Sequence, residues 1–234
     1  MTSSEPAKDA ALLRSFGRRR GRKLSPRQEQ LLQELMPRLR VDLSAPAPSN
    51  SIDLFSAPVT EVWLEIGFGG AEHLLWQAQN RADVGIIGAE PFEEGVVKAL
   101  HGIEQSRLAN VRLYDDDARP LIDWLQPASI AKAFVLFPDP WPKKRHAKRR
   151  LVSRRLLSGL KRVLKPGGEL RLGTDIASYA REMLLALRQE GGFTWCATTA
   201  ADWRQRPADW PQTRYEAKAH REGRAPTYLI LKRD

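Results

Sequence analysis

With 234 residues, 42% of them hydrophobic and 28% charged, the chain is long enough for one large domain, and its composition is ordinary for a soluble globular protein. The single cysteine, Cys196, excludes an internal disulfide or a Cys-rich zinc cluster, and the scattered His73, His101, His146 and His220 show no ligand spacing. No apolar run approaches the about 18 residues of a membrane span, and no apolar stretch follows the basic N-terminus as in a secretory signal. No membrane, no metal and a cytoplasmic location are therefore expected. The formal net charge of +10 favours an anionic partner, nucleic acid first.

Residues 1–50 read as a basic, flexible N-terminal arm with one short helix. Arg14 to Lys23 holds six Lys/Arg with glycines between them; it cannot bury a core and reads as a solvated tail or as a clamp on phosphates. Ser25 as a cap and Pro26 at the first helical position, followed by Leu31, Leu32, Leu35 and Met36, predict an amphipathic helix. Ser44 to Ser49 is a Pro-rich linker. Residues 51–234 are expected to form the main domain.

From Glu61 onward, apolar runs alternate with helical spacing. Strands are predicted at 62–66, 84–89, 111–114, 133–137 and 169–172. Helices are predicted over 71–80, around Phe92, Val96 and Leu100, over the Leu156–Leu164 face, and over Ile176–Leu187. Lys165-Pro-Gly-Gly168 reads as a stop. Runs 193–197 and 227–231 complete the set as an antiparallel hairpin. The fold class is α/β: a mainly parallel seven-stranded sheet with helices on both faces and ligands at the carboxyl ends of the strands.

Gly67-Phe-Gly-Gly70 sits at the end of the first strand and opens a helix. Glycines there allow a sharp turn and a close ligand. Glu90 ends the second strand, where an acid accepts hydrogen bonds from ribose hydroxyls. Glu65, directly before the glycines, would repel a pyrophosphate but suits the ammonium of a methionine moiety. Asp117, in the run Asp115-Asp-Asp117, is the candidate acceptor for an adenine amino group. These details favour S-adenosyl-L-methionine over NAD.

The fourth strand runs into Phe137-Pro-Asp139-Pro-Trp141, and Lys143 to Arg150 then holds six Lys/Arg in eight residues. The flanking prolines restrict the backbone around Asp139, and Trp141 offers a stacking face for a base. An acid fixed at a strand end beside a cationic run suggests a catalytic or binding edge next to a polyanion.

Glu65-x-Gly67-x-Gly69, Glu90, Asp117-Ala, Phe137 to Trp141 with Lys143 and the basic run, and Thr213-Arg-Tyr-Glu216 together resemble the bacterial tRNA (guanine-N7-)-methyltransferase family. The resemblance runs from about Trp63 to the C-terminus. It implies a class I methyltransferase Rossmann-like fold over the main domain that methylates N7 of guanine 46 in the tRNA variable loop; separately from the resemblance, a monomer or a homodimer is expected. It places Glu65, Gly67, Gly69, Glu90, Asp117 and Asp139 at the cofactor; from its place after a strand, between two prolines, Asp139 is also read as the catalytic residue. It places Lys143, Asp175, Thr213, Arg214, Tyr215 and Glu216 at the substrate, and Arg145, His146, Ala147, Lys148, Arg149 and Arg150 at RNA. Asp175, or Thr174 before it, also reads as a cap for the helix that follows.

Overall fold

Along the first strand, Val62, Leu64 and Ile66 join one apolar cluster and Trp63 the other, the period-2 alternation of a strand covered on both faces. The computed structural model describes Gly17 and residues 19–234. The elements in order are α1 (Pro26–Glu34), α2 (Met36–Leu39), β1 (Glu61–Ile66), α3 (Glu72–Asn80), β2 (Val84–Ala89), α4 (Glu93–Ser106), β3 (Val111–Tyr114), α5 (Ala118–Trp124) and β4 (Ile130–Leu136). Then come α6 (Arg154–Val163), β5 (Leu164–Thr174), α7 (Ala177–Glu190), β6 (Phe193–Trp195), α8 (Ala201–Arg204), α9 (Arg214–Arg221) and β7 (Thr227–Arg233).

Among the described residues, seven strands form one sheet in the order β3-β2-β1-β4-β5-β7-β6. The five from β3 to β5 are parallel, while β7 is antiparallel to both β5 and β6. The expected C-terminal hairpin is therefore present, with its second strand inserted beside β5. Strand order reverses between β1 and β4, where Ile66 pairs with Val135. This switch point opens a crevice at the carboxyl ends of the strands.

One face carries α5, α6 and α7, and α6 buries Leu156, Leu157, Leu160 and Val163 against it. The other face carries α1 to α4. Each fully buried leucine contributes about 1.5–3 kcal/mol.

Two sequence expectations shift. The Lys165-Pro-Gly-Gly168 stop lies inside β5; a register irregularity between Ile130 and Lys132 absorbs it, with Gly167 at φ 73°. The loose arm over residues 1–50 is also narrowed. Residues 1–16 and 18, including part of the Arg14–Lys23 run, lie outside the described residues. Beyond them, Ser25 caps α1 in a reciprocal capping box with Gln28, and the one expected helix is two. Leu31, Met36, Leu39 and Val41 are buried, and the Val41 amide donates to the Leu113 carbonyl at 2.8 Å. The apolar face of this stretch covers the β3 edge of the sheet.

Candidate active site

β1 ends at Ile66, and the chain turns at Gly67 and Gly69 with φ of 72° and 54°. This left-handed region suits residues without a Cβ. The turn brings the Gly69 amide 2.8 Å from Glu90 Oε2, while Glu90 Oε1 accepts from the Phe92 amide at 2.9 Å. Glu90 thus ties the loops after β1 and β2. Burial pushes its carboxyl above the ordinary glutamate value. The two amides and Arg214 oppose that rise, and Asp139 adds to it.

Asp117 follows β3 and caps α5, accepting from the Arg119 amide at 3.0 Å and pairing with its guanidinium. Burial pushes this carboxyl up, but Arg119 outweighs burial and holds it below the ordinary aspartate value. Asp115 and Asp116 pair with Arg40 and Arg19, so each acid of the run has its own arginine.

β4 delivers the Phe137–Trp141 segment. Phe137 and Trp141 both have positive φ, 50° and 40°. Such a conformation costs a non-glycine residue about 1–3 kcal/mol and is held only where the surroundings enforce it. Here the Phe137 amide donates to the Gly173 carbonyl at 2.7 Å, and the Arg150 Nε donates to the Pro140 carbonyl at 2.7 Å. Asp139 stands exposed between these two bends.

These loops enclose a cavity of about 430 Å³. Its lining includes Gly67, Gly69, Glu90, Asp117, Arg119, Asp139, Trp141, Lys148, Arg149, Arg150 and Tyr215. The lining is therefore bipolar in charge, with carboxylates after the strands and cations from the basic turn and from Arg119, which pairs with Asp117. Glu90 keeps free lone pairs on both oxygens after its two amide bonds. The residues present suit a ligand with hydroxyl and amino donors and a positive centre, as S-adenosylmethionine has. Among the described residues, no group of three or more His, Cys, Asp or Glu is placed to hold a metal ion. No helix among them is long and apolar enough to cross a membrane.

Other predicted residues lie elsewhere or face inward. Glu65 is buried and outside the cavity lining, with Oε2 2.7 Å from His73 Nδ1. Asp175 does not cap α7; it pairs with Arg224 at 2.7 Å, and Thr174 Oγ1 accepts from the Ile176 amide instead. Thr213 caps α9. Glu216 is buried beneath α9, accepting from the Tyr228 hydroxyl at 2.7 Å, with Arg206 Nε at 3.0 Å. Arg214 leans back toward Glu72 and over the Tyr215 ring.

In the basic run, Lys143 and Arg145 are exposed. His146 meets the edge of Trp141, and the Ala147 carbonyl accepts from the Arg150 amide at 3.0 Å. Arg150 pairs with Glu182 and lies over the Tyr179 ring. Sequence reasoning missed His73, Gln77 and Arg119. The i,i+4 spacing of His73 and Gln77 on one helix was the available signal.

Residues 59–229 match a family model whose description reads "Putative methyltransferase". A tRNA (guanine-N(7)-)-methyltransferase of Chelativorans sp. (strain BNC1) is 49% identical over 218 residues, 93% of this chain and 94% of that one. One from Mesorhizobium japonicum is 50% identical over 218 residues, again 93% and 94%. The chain belongs to the tRNA (guanine-N7-)-methyltransferase family. Among solved structures, the 16S rRNA methyltransferase KamB superposes with a TM-score of 0.56 at 12% identity, covering 81% of this chain and 95% of that one. The [4+2]-cyclase SpnF gives 0.51 at 16% identity, covering 82% and 84%. Those likenesses show the class I methyltransferase fold alone. A cyclase on the same scaffold shows why activity is argued from the site.

Proposed function

We propose that this protein transfers a methyl group from S-adenosyl-L-methionine to N7 of guanine 46 in the variable loop of tRNA, acting in the cytoplasm. The observation that carries the reading is the bipolar cavity. Strand-end carboxylates and a strained Phe137–Trp141 segment meet a basic turn there, in a chain whose relatives are named as tRNA (guanine-N7-)-methyltransferases.

In this reading Glu90 accepts from ribose hydroxyls and Asp117 from the adenine amino group. Gly67 and Gly69 leave room against the backbone, and Glu65 lies beneath their turn with its charge toward the ammonium. The bound cofactor supplies an electrophilic methyl group. Guanine N7 has an in-plane lone pair and no proton, so no residue needs to act as its base. The chain's task is to place that lone pair in line with the methyl group. Asp139 stabilises the positive charge that develops on the purine, and Trp141 and Tyr215 offer ring faces to bases. Lys143, Arg145, Lys148 and Arg149 meet tRNA phosphates. Asp175, Thr213 and Glu216 act indirectly, by holding α9 and the segment around it so that Tyr215 faces the cavity.

The test is incubation of the protein with methyl-labelled cofactor and unmodified tRNA, followed by mapping of N7-methylguanosine. Label at guanine 46 is expected. Label at another guanine removes the position, label only in ribosomal RNA or protein removes the substrate, and tRNA binding without label removes the activity.

A further inference from the structure

A buried polar chain runs beneath the glycine turn, outside the cavity. Glu65 lies on β1, His73 and Gln77 lie on α3 at i and i+4, and Asp209 lies in the loop before α9. His73 Nδ1 is 2.7 Å from Glu65 Oε2, and His73 Nε2 is 3.1 Å from Gln77 Nε2. The same Gln77 nitrogen is 2.8 Å from the Asp209 carbonyl oxygen. Glu65 and His73 side chains are 3% and 1% exposed, so water does not decide which atom donates.

The donor pattern follows from the fixed end. A backbone carbonyl only accepts, so the Gln77 atom facing Asp209 is the amide NH₂; turning the amide over would set oxygen against oxygen. That NH₂ donates its second hydrogen to His73 Nε2, which therefore carries none. The ring hydrogen then sits on Nδ1 and donates to Glu65. A doubly protonated ring would put N–H against NH₂. The network thus assigns a neutral imidazole in one tautomer. The rings of Phe134 and Trp210 hold it edge-on, with centroids at 4.6 and 5.9 Å. Glu65 receives a hydrogen bond without receiving a positive charge.

We propose that His73 and Gln77 are positioning residues that orient the Glu65 carboxylate and leave its negative charge intact for the ammonium end of the cofactor, and that they tie this carboxylate to the loop leading into α9. The proposal rests on the reading of Glu65 given above. A cationic partner at this place would orient Glu65 but cancel its charge. A neutral donor does only the first. Because the chain ends on Asp209, the same bonds couple the floor of the glycine turn to the segment that presents Tyr215 to the cavity.

Binding of S-adenosylhomocysteine, which has the amino-acid end, and of 5′-deoxy-5′-methylthioadenosine, which lacks it, separates this role from general packing. His73→Leu should weaken the first about tenfold or more, the loss of one hydrogen bond to a charged group, and leave the second within about twofold. His73→Asn, which retains an N–H donor near the Nδ1 position, should recover most of the loss. Gln77→Met, which keeps the volume and frees the tautomer, should give a smaller loss in the same selective direction, and it carries the test if His73→Leu does not fold. Equal weakening of both ligands in His73→Leu or in Gln77→Met, or no recovery in His73→Asn, overturns the proposal. Glu65→Gln tests the underlying reading separately: unchanged S-adenosylhomocysteine binding there removes Glu65 from the cofactor, whereas a loss there without one in the His73 and Gln77 variants removes the relay alone.

Discussion

The Arg149 guanidinium lies 5.0 Å from the centroid of the Trp141 ring. Trp141 is one of the two strained residues that bracket Asp139, and His146 meets the edge of the same ring. The basic turn is therefore folded onto the acid-bearing segment. A base that stacks on Trp141 must share or displace the Arg149 contact. Under the proposed function, RNA binding and the placement of Asp139 are linked through a single indole.

The basic run divides by what each side chain already holds. The Arg150 side chain is 7% exposed; it pairs with Glu182, donates to the Pro140 carbonyl and covers Tyr179, whose phenol burial pushes up to about 12. Lys143, Arg145 and Lys148 are exposed. Arg150→Ala should lower stability by about 1–3 kcal/mol by removing the packing on the buried Tyr179 ring and the bond to the Pro140 carbonyl. Replacing Lys143, Arg145 and Lys148 should leave stability intact and flatten the salt dependence of tRNA binding by about 0.7–0.9 per lost phosphate contact. Thermal melts and binding titrations over a salt series check both. An Arg150→Ala variant with an unchanged melt and a flattened slope would reverse the assignment.

Asp139 is exposed at the cavity wall. Asp139→Asn keeps its shape and removes its charge. The expected outcome is a fall in kcat of about 10²–10³ with tRNA affinity within a few-fold, read by single-turnover assays beside binding titrations. Unchanged turnover would assign the chemistry entirely to placement.

The strands, the glycine turn and the α6 face were legible because each depends on local pattern: Val62-Trp-Leu-Glu-Ile66 is continuous and apolar apart from Glu65, and Leu156, Leu157 and Leu160 recur at helical spacing. Sequence pattern also brought Glu90, Asp117 and Asp139 to one edge, because each follows a parallel strand. What stayed hidden was the direction in which side chains point. Nothing in Lys-Lys-Arg-His-Ala-Lys-Arg-Arg says that Arg150 folds back onto Glu182 of α7 and the Tyr179 ring. The helix that begins at Pro26 under a Ser25 cap was legible too, but its docking on the sheet was not. Its apolar spacing was visible, but the β3 edge it covers is distant in sequence. The inward turn of Glu216 depends on Tyr228, on the inserted strand β7.

Burial holds the Glu90 carboxyl above the ordinary glutamate value. The ionised form is the one that accepts from ribose hydroxyls, so cofactor affinity should be full near neutrality. It should be lost as pH falls through this raised value, earlier in acidification than for an exposed glutamate. Calorimetric titration from about pH 8 to about pH 5 should show this limb. Glu90→Gln should bind weakly at neutral pH and lack the limb. A wild-type profile flat to the ordinary glutamate range, or a limb retained in Glu90→Gln, would remove Glu90 from ribose recognition.

Glu216 tests how α9 works. Thr213 Oγ1 accepts the Glu216 amide at 3.2 Å, while the Glu216 side chain passes inward to the Tyr228 hydroxyl and Arg206. Burial first, and then Glu216 itself, push the Tyr228 phenol above its ordinary value, so that it keeps its proton to donate. Removing the carboxylate strands a buried hydroxyl. Glu216→Ala should therefore cost about 1–3 kcal/mol, lowering the melting temperature by about 2–4 °C per kcal/mol in a chain of this size. If Glu216 acts by holding Tyr215 toward the cavity, the double variant Glu216→Ala, Tyr215→Ala should lose no more tRNA turnover than Tyr215→Ala alone. Additive losses would show that Glu216 touches the guanine directly, which requires its side chain to leave Tyr228 when RNA binds.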